Sequence, residues 1–275
     1  LRINTNLAAI QARNNLEDTN RRLGKTMDHL SSGKKITSAE DDSAGLAIEN
    51  VLHAKERAMH SAKTNTSLGI SLIQTAEGSL NEVSSLLNRM KELSMLSSSD
   101  TLGETERHYV DIEFQELKSE IDRIASVTEF NGQKILMGTQ DDSSIRIQVG
   151  IDSDESSEVV FDVSDNDARV DNIGIAGTNV DDQSSALSSL AEVDNAIDKI
   201  NEMRARLGAN QNRLHSVTNT INNQILSTTE ARSKIGDADI AYEAANLAKD
   251  QILQQAGISV LAQATQLPAS ALRLL

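Results

Sequence analysis

The chain has few of the residues that stabilise compact enzyme cores or cross-linked folds. It has no cysteine, which excludes disulfides and thiolate metal sites. It also has no tryptophan, a single proline and only 2% aromatic residues among 275. Because aromatic side chains supply much of the burial in globular cores, we expect a core of aliphatic side chains on long helices, which one proline leaves almost uninterrupted.

Sequence motifs for catalysis are also missing. No zinc-protease helix, phosphate-binding loop or nucleophile elbow occurs, and the acidic stretch 152–158 lacks the central glycine of a calcium loop. We therefore predict no enzyme activity, no cofactor and no metal. The first residues lack the basic and apolar regions of a cleaved secretory signal, so we expect an exported chain to use another route.

Charge is distributed unevenly along the chain. The net charge is −15, yet residues 1–35 hold seven Lys or Arg against three Asp or Glu, and residues 141–182 hold twelve acids against two Arg. A solvated acidic surface over about 140–180 is the expected result. The absence of a basic stripe with stacking aromatics disfavours nucleic-acid binding.

Apolar residues between Ala39 and Ser97 repeat with the period of a coiled coil. Their spacing alternates between three and four residues along Ile73, Ala76, Leu80, Val83, Leu87 and Met90. This pattern predicts one long helix over about 40–97, roughly 85 Å in length. We expect a turn at 97–104 with Asp100 or Thr101 as the helix cap, and a second helix over about 104–127 with Ile112 and Ile121 facing inward.

The middle of the chain changes character before helical periodicity returns. Asn131-Gly132 predicts a turn, and residues 144–150 and 158–164 read as two strands of a hairpin. Helical spacing resumes over about 181–229, with a phase shift that we expect to alter the supercoil locally without ending the helix.

Both ends of the chain carry an apolar seam that needs a partner. The candidate polymerisation seam consists of Ile3, Leu7, Ile10, Leu253, Val260, Ala264 and Leu267. We predict a mainly α fold: an elongated antiparallel coiled-coil rod with a small β-hairpin region and paired N- and C-terminal helices.

Residues 251–272 contain no charge and are long enough to cross a membrane as a helix. Five glutamines and several hydroxyl residues within this stretch would face lipid at considerable cost, however. We therefore favour a polymerisation helix that packs among other helices beside water, and we predict no membrane insertion.

Four stretches resemble bacterial flagellin, the subunit of the flagellar filament. They are LRINTNLAAIQARNNL at 1–16, LSSGKKITSAEDDSAGLAIE at 30–49, EIDRIASVTEFNGQKIL at 120–136 and the closing 245–275. The resemblance covers roughly 1–140 and 180–275 in order. Because few residues remain between these regions, the chain is similar to a minimal flagellin without large outer domains.

The resemblance implies a division of the chain into two domains. Residues 1–38 with 236–275 would form an inner, channel-lining helical domain, and 39–235 would form an outer helical domain with the hairpin and the acidic segment. The connection between them would be a spoke joint that includes Gly33, Asp41, Asp42 and Gly45, and a solvated loop is the alternative interpretation of this segment.

The resemblance also implies a surface on the outer domain. Arg89, Leu93 and Glu113 match the positions where flagellins contact the next subunit and a Toll-like innate receptor. The stretch departs from the family pattern at Asn88, Lys91 and Ser94. An ordinary salt-bridged helix surface is the alternative, because residues four apart share one face.

The predicted function is therefore a structural subunit that polymerises with itself into an extracellular flagellar filament for swimming. The chain would be exported unfolded through the flagellar channel, and its terminal helices would fold on assembly. The implied partners are further copies of the chain, the filament cap, hook-junction proteins and an export chaperone. A hook-filament junction protein is the nearest alternative, and a coiled-coil adaptor is a more distant one.

Overall fold

Six helices make up most of the chain in the computed structural model, which describes residues 5–138 and 144–272, without the side chains of 155 and 267–272. The helices are α1 (Leu7–Ser32), α2 (Ser43–Ser97), α3 (Glu104–Val127), the short α4 (Val170–Ile173), α5 (Gln183–Gly236) and α6 (Ile240–Leu272). The chain divides into two compact units, one formed by 1–56 with 226–275 and the other by 57–225. The prediction of a mainly α fold is confirmed.

The unit 57–225 is built around an aliphatic core between α2, α3 and α5. The six predicted seam residues of α2 are all fully or almost fully buried there, together with Phe114 and Ile121 of α3 and Val193 and Ile200 of α5. Helices α2 and α5 run antiparallel in this unit, since Lys91 pairs with Asp194 at 2.6 Å and Met59 packs with Ile221. The heptad pattern of the sequence thus places the core correctly.

Two small antiparallel hairpins close the same unit. Strands β1 (Glu129–Phe130) and β2 (Gln133–Lys134) flank a turn in which Asn131 and Gly132 have φ of 51° and 79°, the left-handed conformation that this residue pair favours. Strands β3 (Ser144–Gln148) and β4 (Glu158–Asp162) pair in register from Ser144 with Asp162 to Gln148 with Glu158. Both the turn and the hairpin are confirmed.

Two details of this unit differ from the expectations. Gly103, not Asp100 or Thr101, precedes α3 as its N-cap and offers no side-chain hydrogen bond, so the acids Glu104 and Glu106 in the first turn are left to favour the helix N-terminus. Ile112 faces outward and is exposed, because Phe114 and Ile121 occupy the buried face of α3.

The unit formed by 1–56 with 226–275 pairs α1 with α6 in antiparallel orientation. Asn6 caps α1 through Ala9 N–H and also donates from Nδ2 to Ala264 O at 2.7 Å. Near the other end of the pair, His29 Nδ1 lies 3.3 Å from Glu243 Oε1. The predicted pairing of the terminal helices is thus confirmed. Among the described residues, no helix contains an apolar stretch long enough to cross a membrane.

Each unit contains one of the two tyrosines of the chain. Tyr109 of α3 and Tyr242 of α6 are both 65% exposed, and neither side chain takes part in a core.

Candidate functional site

The segment between α1 and α2 is held by short local hydrogen bonds. Gly33 ends α1 in the left-handed conformation with φ 70°, and its N–H donates to His29 O at 2.9 Å. Asp42 begins α2, because its Oδ1 accepts from the N–H of Gly45 at 2.9 Å. A side chain at Gly45 would collide with Ile36 Cδ1. The four residues predicted as the spoke joint therefore lie within one well-bonded connection.

Asp41 is the centre of this connection. Its carboxylate accepts from the backbone N–H and the hydroxyl of Thr37 at 3.2 and 2.9 Å, and from the N–H of Ser38 at 3.1 Å. It also accepts from Lys25 Nζ of α1 at 3.0 Å. The lysine and the hydroxyl donors hold the pKa of Asp41 well below its ordinary value, and the carboxylate raises the pKa of Lys25.

The seam between α1 and α6 has a polar character that the sequence analysis missed. Its less exposed positions alternate by three and four residues on both helices. On α1 they are Ala9, Ala12, Leu16, Thr19, Leu23, Thr26 and Leu30, and on α6 they are Glu243, Leu247, Asp250, Gln254, Gly257, Leu261 and Ala264.

Side-chain contacts across the seam are mostly hydrogen bonds and ion pairs. Gln254 Nε2 donates to Asn20 Oδ1 at 2.7 Å, and Arg22 Nε lies 3.4 Å from the buried carboxylate of Asp250. Gly257 permits close approach, since a side chain there would contact Leu16. Polar contacts of this kind stabilise a helix pair less than a continuous apolar seam.

The predicted polymerisation seam only partly coincides with this contact. Ala264 is buried in it, whereas Leu253 and Val260 lie one position away and are exposed, Val260 by 56%. Leu7 and Ile10 are also exposed on α1. Ile3 and the side chain of Leu267 lie outside the described residues. The apolar spacing had assigned these residues to a single seam, but hydrogen bonding of the polar residues rotates α6 so that two of the apolar residues face outward.

Helix α6 is therefore apolar on more than its paired side. Leu253 and Val260 lie on one flank of the seam and Ile258 lies on the other, because successive residues turn by about 100°, and all three are exposed. The opposite side contains Gln255, Gln263 and other uncharged polar residues. A helix with apolar residues on several sides is normally covered by several partners.

The surface proposed at Arg89 consists of an ion-pair network between α2 and α3. Arg89 Nη2 lies 2.8 Å from Glu113 Oε1, and Nη1 lies 2.9 Å from Glu92 Oε2. These two carboxylates raise the pKa of Arg89. Leu93 is only 2% exposed and packs in the core, which corrects the expectation that it shares an exposed patch with Arg89.

A buried carboxylate on α3 was not predicted. Asp111 Oδ1 accepts from Val180 N–H at 2.9 Å and from Gln115 Nε2 at 3.2 Å. Lys118 donates to the carbonyl of Thr178 at 3.1 Å, and its partial burial lowers its pKa. This polar face of α3 fixes the segment that leads into α5. Its sequence signal is the spacing of four residues between Asp111 and Gln115.

The geometry contains helix surfaces and ion pairs, with no metal-binding cluster of acidic or histidine side chains among the described residues. Two family models match the chain: the bacterial flagellin N-terminal helical region matches residues 3–141, and the bacterial flagellin C-terminal helical region matches 190–275. The chain belongs to the bacterial flagellin family.

Individual relatives support this membership over the full length. A flagellin of Halalkalibacterium halodurans is 40% identical over 273 residues, which is 99% of each chain. The crystal structure of Bacillus cereus flagellin is 32% identical, with a TM-score of 0.50, and the match covers 57% of this chain and 88% of that one. The prediction of a flagellin-type filament subunit of small size is confirmed.

A structure described as that of a flagellar hook-associated protein from Vibrio parahaemolyticus has a TM-score of 0.59. The match covers 72% of this chain and 100% of the other, at 15% identity. Because the identity is so low, this likeness shows the fold alone. The hook-junction alternative is no better supported than the flagellin assignment.

Proposed function

We propose that the terminal helices of this flagellin-family chain form the contacts that build an extracellular filament from many copies. The observation that carries this proposal is the arrangement of apolar side chains on α6. Leu253, Ile258 and Val260 are exposed on both flanks of the α1 contact. Burial of such side chains contributes about 1.5–3 kcal/mol each, so neighbouring copies gain stability by covering them.

The amide-rich side of α6 has a different role in this proposal. Gln255 and Gln263 are exposed and uncharged. Residues 1–38 with 236–275 form the channel-lining domain, and 39–235 form the outer domain. An uncharged polar wall binds a passing unfolded chain only weakly, because it offers neither ion pairs nor large apolar contacts.

Seeded assembly followed by electron microscopy tests this arrangement. Val260→Asp places a charge on the apolar flank and is expected to abolish filaments, because an unpaired carboxylate is costly to bury. Gln263→Asp adds the same carboxylate on the amide-rich side and is expected to leave filaments intact. Equal loss of assembly in both variants would count against the assignment of the two sides.

Folding on assembly is the second element of the proposal. In the monomer the α1/α6 pair has few buried apolar contacts, so we expect residues 1–30 and 250–275 to exchange their amide hydrogens rapidly. The same amides become protected in filaments. Strong protection of both ends in the monomer would contradict coupled folding and assembly.

The spoke joint is proposed to set the geometry of the connection to the terminal helices. Gly45→Pro removes the N–H that Asp42 accepts and adds atoms where Ile36 already lies. We expect trapped filament curvature or failed assembly, measured by electron microscopy. Normal filaments with unchanged curvature would remove this role.

The ion-pair network at Arg89 favours a further binding role. Arg89 and Glu113 lie on the surface of 57–225 in a fixed pair, and we propose them as a contact for the next subunit and for a Toll-like innate receptor. Reporter cells that express the receptor test the second part with purified monomer. Full response of Arg89→Ala, or no response of the unaltered chain at high dose, would exclude receptor recognition through this pair.

The remaining partners follow from the same proposal. Export through the flagellar channel requires an export chaperone, and growth of the filament requires hook-junction and cap proteins at its two ends. Binding of the chain to each of these, with and without residues 251–275, is measurable by sedimentation. We expect that loss of 251–275 leaves a soluble protein that does not polymerise.

A further inference from the structure

A buried carboxylate lies where α5 ends and α1 connects to α2. Glu49 of α2 is 7% exposed, and its Oε1 accepts from Lys34 Nζ at 2.9 Å. Its Oε2 is buried without a hydrogen-bond partner. An under-satisfied buried carboxylate is costly, so its retention at this position calls for a structural reason.

Gly236 supplies the space for this carboxylate. A side-chain carbon at 236 would lie 2.9 Å from Cδ of Glu49 and 3.2 Å from both of its oxygens. The backbone of Gly236 does not require glycine, because its φ is not among the positive values of the described glycines. The glycine is therefore explained by contact with Glu49 rather than by backbone conformation.

Two backbone hydrogen bonds lie beside the same carboxylate. The N–H of Lys35 donates to Gly236 O at 2.7 Å, and the N–H of Ala238 donates to Gly33 O at 2.9 Å. They join the segment after α1 to the segment before α6. Lys34 belongs to the first segment and Gly236 to the second, so the Glu49 carboxylate contacts both sides of this bridge.

We propose that Glu49, Lys34 and Gly236 form a junction lock that positions the two connecting segments, and thereby α1 and α6, for subunit assembly. The proposal rests on the function proposed above, because the lock acts through assembly. Glu49 is the positioning residue, Lys34 holds its carboxylate, and Gly236 leaves it room. Each member is useful only with the others.

A double-mutant cycle tests the lock. Gly236→Ala displaces the carboxylate from Lys34, so we expect the critical concentration for seeded assembly to rise about tenfold, equivalent to about 1.4 kcal/mol. In the Glu49→Ala background the same substitution is expected to cause no rise, because alanine is then the better helix residue. Gly208→Ala, in an open position of α5, is the matched control and is expected to have no effect on assembly.

A transposed carboxylate provides the rescue. Glu49→Ala alone leaves Lys34 without its partner and raises the critical concentration. In Glu49→Ala with Gly236→Glu, the new carboxylate extends from α5 into the same space and should restore assembly to within about threefold of the unaltered chain. Failure of this rescue, together with equal effects of Gly236→Ala in both backgrounds, would overturn the lock.

Amide exchange at Lys35 and Ala238 supplies a readout that does not depend on polymerisation. We expect faster exchange of both amides in Gly236→Ala and a return to the original rate in the transposed variant. The measurement is made on soluble chain and on filaments. If the unaltered chain forms no filaments, the proposed function fails, while the exchange rates in soluble chain still decide whether the lock exists. Unchanged exchange in all variants would reject it.

Discussion

Almost every buried apolar side chain of the described residues lies in 57–225, whereas 1–56 with 226–275 contributes only Ile36 and Ala264. The first unit has a continuous aliphatic core between three helices. The second is joined mainly by ion pairs and amide contacts and exposes large apolar residues on α6. The difference indicates that one unit contains what it needs to fold, and that the other gains most of its burial from neighbours.

The largest expected effect separates the two units by their cores. Leu87→Ala removes a side chain that is fully buried in 57–225 and should lower the free energy of unfolding by about 3–4 kcal/mol. Ile258→Ala, at a 54% exposed position, should leave the stability of the monomer unchanged. Urea unfolding of both monomers, followed by circular dichroism, measures the contrast. A similar loss in the two variants would mean that α6 is already packed in the monomer.

A buried polar contact gives the next largest effect. Asp111→Ala leaves the N–H of Val180 without its acceptor, and we expect a loss of about 1–3 kcal/mol in the stability of 57–225. Glu113→Ala on the same helix is the control, because its carboxylate pairs with Arg89 at an exposed site. Urea unfolding that ranks Glu113→Ala as the more harmful change would contradict this account of the polar face of α3.

Two glycines with open surroundings provide a matched pair of smaller effects. Gly208 in α5 and Gly24 in α1 both lie within helices, and a side chain at either position would meet no other atom. Alanine at Gly208 should stabilise the monomer by about 0.5–1 kcal/mol. Alanine at Gly24 should leave monomer unfolding unchanged and stabilise only filaments, because α1 folds on assembly. Equal stabilisation of the two monomers would place α1 in the folded part of the free chain.

The smallest effect concerns acid sensitivity. Asp182 caps α5, accepting from Ser185 N–H at 2.9 Å and from the hydroxyls of Ser184 and Ser185, and these donors lower its pKa from 3.8 to about 2. Because the folded-state pKa is the lower one, its contribution is complete above pH 3.8 and is lost as the pH falls toward 2. Asp182→Ser keeps the cap without titrating, so its melting temperature should fall less between about pH 4 and 2.

Asp41 is the counterpart of Asp182 in the terminal unit. Its pKa is also lowered by its donors, so its stabilising effect is present above the ordinary pKa and decreases as the pH falls through the folded-state value. We expect Asp41→Ser to change the acid stability of filaments and not that of monomers. Melting curves of the two forms at several pH values distinguish these outcomes.

The core of 57–225 could be predicted because apolar spacing alone determines which face of a long helix is buried. The six α2 seam residues and the hairpin at Asn131-Gly132 illustrate this. The seam of α6 could not be predicted in the same way. Its intrachain contact is made by Glu243, Asp250 and Gln254, whose partners on α1 are distant in sequence, and spacing rules do not weigh such polar pairs.

The candidate surfaces show the same limit. Helical spacing groups Arg89 with Leu93, yet the packing of α3 against α2 decides that only Arg89 remains outside. Glu49 and Gly236 are far apart in the sequence, and neither is unusual for a helix. Their relation becomes visible only when a side-chain carbon is placed on Gly236 and meets the carboxylate.

The two exposed tyrosines make the chain a protein with its own optical labels. Without tryptophan, near-ultraviolet absorbance and fluorescence arise chiefly from Tyr109 in one unit and Tyr242 in the other. Replacing either by phenylalanine leaves a single reporter for one unit. The folding of the terminal helices during filament growth could then be followed in real time without attaching a dye.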